Sequence, residues 1–289
     1  MLASSSSIST RFPMSIWSTA DSPDTWTELE QLLYACLRTG DDQSAHLCLE
    51  QISHRFGPEN ERVMALRGLY QEAVAPDEAS LRKILQDYNK ILTENPMNVP
   101  VHKRRNALIR ASGRPQEAII CLVEFLDTFP TDVEAWCELS DLYYSQGLSA
   151  QAIFCLEEAL LIVPYAWNLH ARLGELEYMT SLSEKDTIER HQQSLLHAVQ
   201  RFGRSIELCD DYLRGYYGLK LASEKLLQVI GTTKGHQNLP ISSDTLQRLS
   251  RLATAKLTEI VKARSSTSAT LEQSEIVAAQ ELLNTRSTT

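Results

Sequence analysis

The feature that most constrains this chain is a pattern of side chains that recurs about every 34 residues. Its clearest copy runs from Val133 to Ala166, and Gly147 lies at its centre between two stretches with helical periodicity. With Val133 as position 1, the apolar residues and the proline at positions 4, 7, 11, 20, 24, 27 and 32 are Trp136, Leu139, Tyr143, Ala152, Leu156, Ala159 and Pro164. One such unit cannot bury its apolar face alone, so the pattern predicts a stack of helical hairpins.

These positions are those of the tetratricopeptide repeat, in which small residues at positions 20 and 27 let neighbouring helices approach closely. The same frame continues upstream in copies over 99–132, 61–98 and about 26–60, of which the second holds four extra residues at Val74–Asp77. Downstream, Trp167 opens a fifth copy with about twelve extra residues at 181–192. A sixth begins near Asp211, with Gly218 at position 8. The chain is therefore expected to be an all-α tetratricopeptide-repeat solenoid of about five to six hairpins.

The expected domain organisation places this repeat array at 26–230, after a Ser-rich tail over 1–25. A linker over 231–243 and a capping helix over 244–264 follow, because a solenoid needs a polar closing element. Residues 265–289 are expected to be a mostly flexible tail with room for a short helix. At the helix starts, Thr131 with Glu134 has the spacing of a capping box, and Ser243 or Asp244 is expected to cap the last long helix.

Composition and motifs exclude several functions. The 37 acidic residues exceed the 28 Lys and Arg, a formal charge of −9 that argues against a general nucleic-acid binder. Apolar runs stay far below the roughly 20 residues of a membrane span. The sequence has no metal-binding His spacing, no phosphate loop and no nucleophile beside a plausible base. We therefore predict no enzyme activity, no metal and no cofactor.

The repeat instead supplies a binding surface, because positions 2, 5, 6, 9, 12 and 13 of each first helix face a groove in this repeat class. Reading them off predicts a basic zone beside an aromatic one. The candidate partner-binding residues are Lys103, Arg104, Arg110, Tyr144, Asn168, Arg172, Tyr178, Tyr212 and Tyr216. Charges would steer an extended peptide, and tyrosine rings would bury area at little entropic cost.

One alternative is a co-chaperone adaptor that holds the carboxylate of a chaperone tail. Repeat proteins of that kind use Lys, Asn and Arg at set groove positions. Here Lys103 stands at position 5, but position 9 of the same repeat is Ala107 and the expected Asn of the fourth repeat is Glu138. These departures weigh against a carboxylate clamp. An enzyme hidden in the extensions remains a third alternative.

The stretches Glu134–Leu139, Asp141–Tyr143 and Ala152–Glu158, and Asn95–Asn98 followed by Lys103–Arg105, resemble subunit 2 of the endoplasmic-reticulum (ER) membrane protein complex. The resemblance covers roughly 26–230. It implies a peripheral scaffold subunit on the cytosolic face of the ER membrane, in an assembly that inserts transmembrane segments. Such a subunit would cradle cytosolic ends of membrane-embedded subunits and bind another soluble subunit, so its association with the membrane would be indirect.

Overall fold

The computed structural model describes residues 22–182, 187–232, 240–264 and 273–284. Within these ranges the chain forms thirteen α-helices and no strand, and the expected all-α repeat fold is confirmed. The helices are α1 (Pro23–Thr39), α2 (Asp42–Phe56), α3 (Glu61–Ala73), α4 (Glu78–Glu94), α5 (Val99–Ala111), α6 (Pro115–Thr128), α7 (Val133–Ser145), α8 (Ser149–Ile162), α9 (Trp167–Ser181), α10 (Ile188–Leu208), α11 (Leu213–Thr232), α12 (Ser243–Arg264) and α13 (Gln273–Asn284).

Parts of the expected extensions lie outside the described residues. These parts are most of the Ser-rich tail (1–21), the centre of the insertion in the fifth repeat (183–186), most of the linker (233–239), and residues 265–272 and 285–289 of the C-terminal tail. Within the described residues, α12 occupies the region where the capping helix is expected, and α13 lies in the region of the tail.

The helices form two compact units, and the division falls inside α6 between Ala118 and Ile119. In the first unit, α1 packs against α2, and α3 packs against α4 and α5. Its core includes the fully buried Leu33, Ala45 and Tyr88. The four extra residues of the second repeat form the turn between the end of α3 and the start of α4.

The second unit contains the larger core. Helices α9, α10, α11, α12 and α13 share a cluster of buried apolar side chains that includes Phe202, Leu219 and Leu257. The pair α7 and α8 packs beside α9 through a smaller cluster around Leu156 and Leu173. Part of the insertion in the fifth repeat is helical, because it lengthens α10 at its N-terminus to 21 residues.

Short polar residues and glycines determine where the helices begin and end. Gly113 and Gly147, at position 15 of their repeats, have φ of 72° and 75°, a conformation that only glycine adopts without strain. At the N-termini of α7 and α12, the capping residue is a neighbour of the predicted one. Asp132, not Thr131, accepts the Ala135 N–H at 2.9 Å. Ser242, not Ser243 or Asp244, accepts the Thr245 N–H at 3.1 Å. Asp132, directly before the first helical turn of α7, has the β-like backbone geometry that an N-cap needs.

In three consecutive repeats, the side chain at position 4 forms a hydrogen bond with a proline carbonyl near the end of the preceding repeat. The Trp136 indole N–H donates to the Pro130 carbonyl at 2.9 Å. His170 Nε2 lies 3.0 Å from the Pro164 carbonyl, and in the first unit His102 Nε2 lies 2.9 Å from the Pro96 carbonyl. Each pair is six residues apart, so one hydrogen bond fixes the turn between a second helix and the next first helix.

The hydrogen bond between His170 and the Pro164 carbonyl is expected to depend on pH. The side chain is buried, and its Nδ1 atom has no hydrogen-bond partner among the described residues. Burial lowers the pKa of His170 below its usual value, because a second proton would create a buried, unpaired charge. The native state therefore gains stability from neutral His170 above about pH 6.5, and this gain is lost as pH falls from there through the lowered pKa of His170 in the native state.

We therefore expect the free energy of unfolding to fall between pH 7 and pH 5, and to fall less in His170→Trp. Tryptophan is the residue at the equivalent position of the fourth repeat, and it donates one N–H without titrating. Urea unfolding followed by circular dichroism at several pH values measures the difference. If the free energy of unfolding changed with pH identically in the unmodified protein and in His170→Trp, His170 would not be the source of the pH dependence.

Candidate functional site

In the second unit, a cavity of about 510 Å³ lies between α9, α11 and α13. Tyr144 borders it from the end of α7, and Phe202 from α10. Its lining residues are Tyr144, Arg172, Glu175, Leu176, Tyr178, Met179, Phe202, Leu213, Arg214, Tyr217, Gly218, Leu221, Glu275 and Ala278. Most of these side chains are aromatic or aliphatic, and this volume is in the range of pockets that hold a ligand or several side chains.

Three of the predicted groove residues meet in this cavity: Tyr144, Arg172 and Tyr178. The Arg172 guanidinium carbon lies 5.8 Å from the centroid of the Tyr144 ring, a cation–π distance. Its two terminal nitrogens donate to Glu175 at 2.9 Å and to Asp141 at 3.1 Å. Arg172 is thus fixed in place by its own unit, and it contributes a planar surface more than an available positive charge.

The second arginine of the cavity is also paired. Arg214 donates from Nε at 2.9 Å and from Nη2 at 2.7 Å to the same oxygen of Glu275 on α13. Burial raises the pKa of Tyr178, so its phenol stays neutral at physiological pH. The cavity therefore presents rings, apolar side chains and internally neutralised charges. Such a lining favours an uncharged apolar anchor over a carboxylate.

Two predicted tyrosines need correction, because the frame of the sixth repeat is shifted by two residues. Helix α9 begins three residues after Pro164, and α11 begins at Leu213, three residues after Asp210. Leu213 is therefore position 1, and Tyr216 is the counterpart of His170 at position 4. Tyr216 is only 2% exposed and donates to Asp210 at 2.8 Å, so it is a core residue and not a groove residue. Tyr212 precedes α11 and packs partly against the core, outside the cavity lining.

The corrected frame identifies the residues that the sequence reading missed. Positions 2, 5, 6 and 9 of the sixth repeat become Arg214, Tyr217, Gly218 and Leu221, and all four line the cavity. Two of the missed residues of α9, Glu175 and Met179, stand at positions 9 and 13 of the fifth repeat, which the groove rule already included. No position of the repeat predicts the residues that α13 contributes to the cavity.

The predicted basic residues lie on α5 in the first unit. Arg104 is used within that unit, because it pairs with Glu72 of α3, whose carboxylate also accepts the hydroxyl of Tyr88 on α4. Burial and this hydrogen bond raise the pKa of Tyr88, so its phenol stays neutral at physiological pH. Lys103 is half-buried and Arg110 is exposed. Asn168 is exposed on α9 outside the cavity lining. A partner-binding role for these three remains a prediction.

The described part of the chain contains no helix that is long and apolar enough to cross a bilayer. Across the same residues, His, Cys, Asp and Glu side chains do not gather in any group of three or more suited to a metal ion.

The comparisons with known proteins identify the family. Residues 64–195 match the family model described as the EMC2 TPR-like repeat domain. The TPR repeat protein oca3 of Schizosaccharomyces pombe is 30% identical over 72% of this chain and 69% of its own length. ER membrane protein complex subunit 2-A of Xenopus laevis is 31% identical over 69% of this chain and 63% of its own length.

A solved structure agrees at the level of fold. The crystal structure of MamA protein superposes with a TM-score of 0.50 at 16% identity, over 72% of this chain and 96% of that chain. Because the repeat pattern, the helical hairpins and the sequence relatives all agree, this chain belongs to the family of ER membrane protein complex subunit 2, a tetratricopeptide-repeat family.

Proposed function

We propose that this chain is a non-catalytic scaffold subunit of the ER membrane protein complex. It works at the cytosolic face of the ER membrane, where it holds cytosolic segments of the membrane-embedded subunits that insert transmembrane proteins. Family membership supports a place in that complex. The cavity of the second unit supports the holding role, because it offers a pre-formed concave surface on rigid helices.

The lining of the cavity supports a particular kind of occupant. Tyr178, Met179 and Tyr217 are large and adaptable, whereas Arg172 and Arg214 are engaged by carboxylates of the same unit. A segment that inserts an apolar side chain between the rings gains area without displacing an ion pair. An acidic tail would have to compete with Glu175 and Glu275 for the arginines, which disfavours the chaperone-tail alternative.

The proposal is tested by placing a charge where the cavity is apolar and open. Met179 lines the cavity and is 49% exposed, so Met179→Glu leaves the core intact. We expect this variant to recover the membrane-embedded subunits at least about tenfold less efficiently in a pull-down from mild detergent, because a carboxylate would be buried against apolar partner surface.

The matched control is Met97→Glu, which makes the same change at a methionine that is 58% exposed in the first unit, between α4 and α5. Equal recovery of membrane subunits with both variants would remove the cavity from the proposed function. Recovery of chaperones without any membrane subunit, from the unmodified chain, would favour the adaptor instead.

A further inference from the structure

Helix α13 lies on the groove side of the sixth repeat, although it belongs to no repeat itself. Its residues Glu275 and Ala278 line the cavity of about 510 Å³ together with Arg214 and Tyr217 of α11. These two residues of α11 stand at positions 2 and 5, which face the groove in this repeat class. An amphipathic helix laid into a groove is a common mode of protein recognition, and here the groove is occupied by a helix of the same chain.

The apolar side chains of α13 have the spacing of a helix that binds in a groove. Ile276 and Ala279 are buried, and Leu282 and Leu283 are partly buried against the same core. They recur at i, i+3, i+6 and i+7, so they form a single stripe along the helix. The packing of α13 against α11 and α12 therefore uses one narrow apolar face.

This attachment of α13 is weak compared with that of its neighbours. Two of its twelve residues, Ile276 and Ala279, are buried, whereas α11 buries nine of its twenty residues. In the ion pair of Arg214 with Glu275, the side chains are 56% and 33% exposed, so solvent reduces its contribution to stability. A helix of this length is only marginally stable alone in water. We therefore expect α13 to open locally at a lower free energy than the core.

We propose that α13 is a replaceable occupant of this groove, and that a partner helix with the same pattern binds in its place. Such a helix presents a carboxylate to Arg214 and apolar side chains one, four and eight positions later, as α13 does. A basic helix is disfavoured, because it would bring a second positive charge to Arg214. The other walls, α9 and α11, belong to the packed core, so a concave surface persists when α13 leaves. This inference rests on the proposed function, since it concerns access to the same cavity.

The first test measures amide hydrogen exchange of the full chain by mass spectrometry. We expect the amides of α13 to be at least about tenfold less protected than those of α11, because they exchange through local opening. Glu275→Arg places two like charges together and is expected to lower the protection of α13 about fivefold further. The matched control, Glu207→Arg, makes the same change at an exposed glutamate that pairs with Arg204 on α10, and should leave α13 unchanged.

The second test measures binding of a fluorescein-labelled peptide with the sequence of residues 273–284 by fluorescence anisotropy. We expect the peptide to bind the Glu275→Arg chain at least about fivefold more tightly than the unmodified or Glu207→Arg chain. The reason is that α13 of the same chain then no longer competes at a high effective concentration. A peptide that carries Glu275→Gln is expected to bind about threefold more weakly, because it lacks the carboxylate for Arg214.

Equal protection of α13 and α11, or equal peptide binding by the Glu275→Arg and Glu207→Arg chains, would overturn the proposal. A dimer of the unmodified chain that the peptide dissociates would assign the groove to α13 of a second copy instead of a partner helix. Circular dichroism confirms that both variants are folded. These measurements contain no membrane subunit, so they can fail while the Met179→Glu pull-down succeeds, and the reverse also holds.

Discussion

Gly218→Ala is expected to destabilise the second unit by about 2 kcal/mol or more, although alanine is the better helix former. A Cβ atom at Gly218 would lie 2.1 Å from the nearest carbon of the Phe202 ring. The ring has little room to move, because it also lies close to Gly174, where a Cβ would be 3.1 Å away. Phe202 is 2% exposed and central to the core of α9 to α13, so the strain must be absorbed by moving packed helices.

Gly203→Ala is the matched control for this prediction. Gly203 is the residue next to Phe202 on the same helix, but a Cβ there would meet nothing within 4 Å. The control is therefore expected to stabilise the protein by about 0.5–1 kcal/mol through helix propensity alone. Urea unfolding of both variants measures the two effects. If Gly218→Ala were as stable as Gly203→Ala, Phe202 would not be confined between the two glycines.

The positions of the turns and helix ends could be predicted because they depend on residues that are close in sequence. Prolines, turn glycines and small residues at positions 20 and 27 follow one spacing, and this spacing identified hairpins that the structure contains. The cap errors at Thr131 and Ser243 come from the same short range. Several adjacent polar residues can cap a helix, and the backbone conformation before the first turn decides between Asp132 and its neighbours.

The error in the sixth repeat has a different origin. Its frame was set by placing Gly218 at position 8, the position that Gly174 occupies in the fifth repeat. The proline that fixes the frame of other repeats is missing, since Asp210 occupies the place of Pro164. In the structure the Asp210 carboxylate accepts the hydroxyl of Tyr216, as the Pro164 carbonyl accepts the His170 N–H. A side-chain acceptor thus replaces a backbone acceptor, which a motif search cannot recognise.

The candidate site could be predicted only in part, because one wall of the cavity is not a repeat. Helix α13 contributes Glu275 and Ala278, and it is positioned by burial of Ile276 and Ala279 and by the ion pair of Glu275 with Arg214. These contacts join residues about 60 positions apart in sequence, with no periodicity to reveal them. The same pairing removes Arg214 from the charges that a partner could use, so groove position alone does not identify a binding residue.

Glu224→Gln is expected to cost about 3 kcal/mol, because it strands a buried charge. Lys220 lies inside the second unit with 1% of its side chain exposed, and its Nζ atom is 2.6 Å from Glu224 Oε1. The Ser250 hydroxyl of α12 donates to the same oxygen at 2.9 Å. Glutamine keeps an acceptor for Ser250 but no longer neutralises the ammonium group. Urea unfolding at pH 7 measures the loss.

The companion variant Lys220→Met separates the stranded charge from the loss of the ion pair itself. Methionine fills a similar volume without a charge, and the Glu224 side chain, which is 17% exposed, can still reach water and Ser250. Lys220→Met is therefore expected to cost about 1 kcal/mol, and Lys220→Met with Glu224→Gln to recover most of the stability lost in Glu224→Gln alone. A double variant whose loss equals the sum of the two single losses would mean that Lys220 and Glu224 are not coupled.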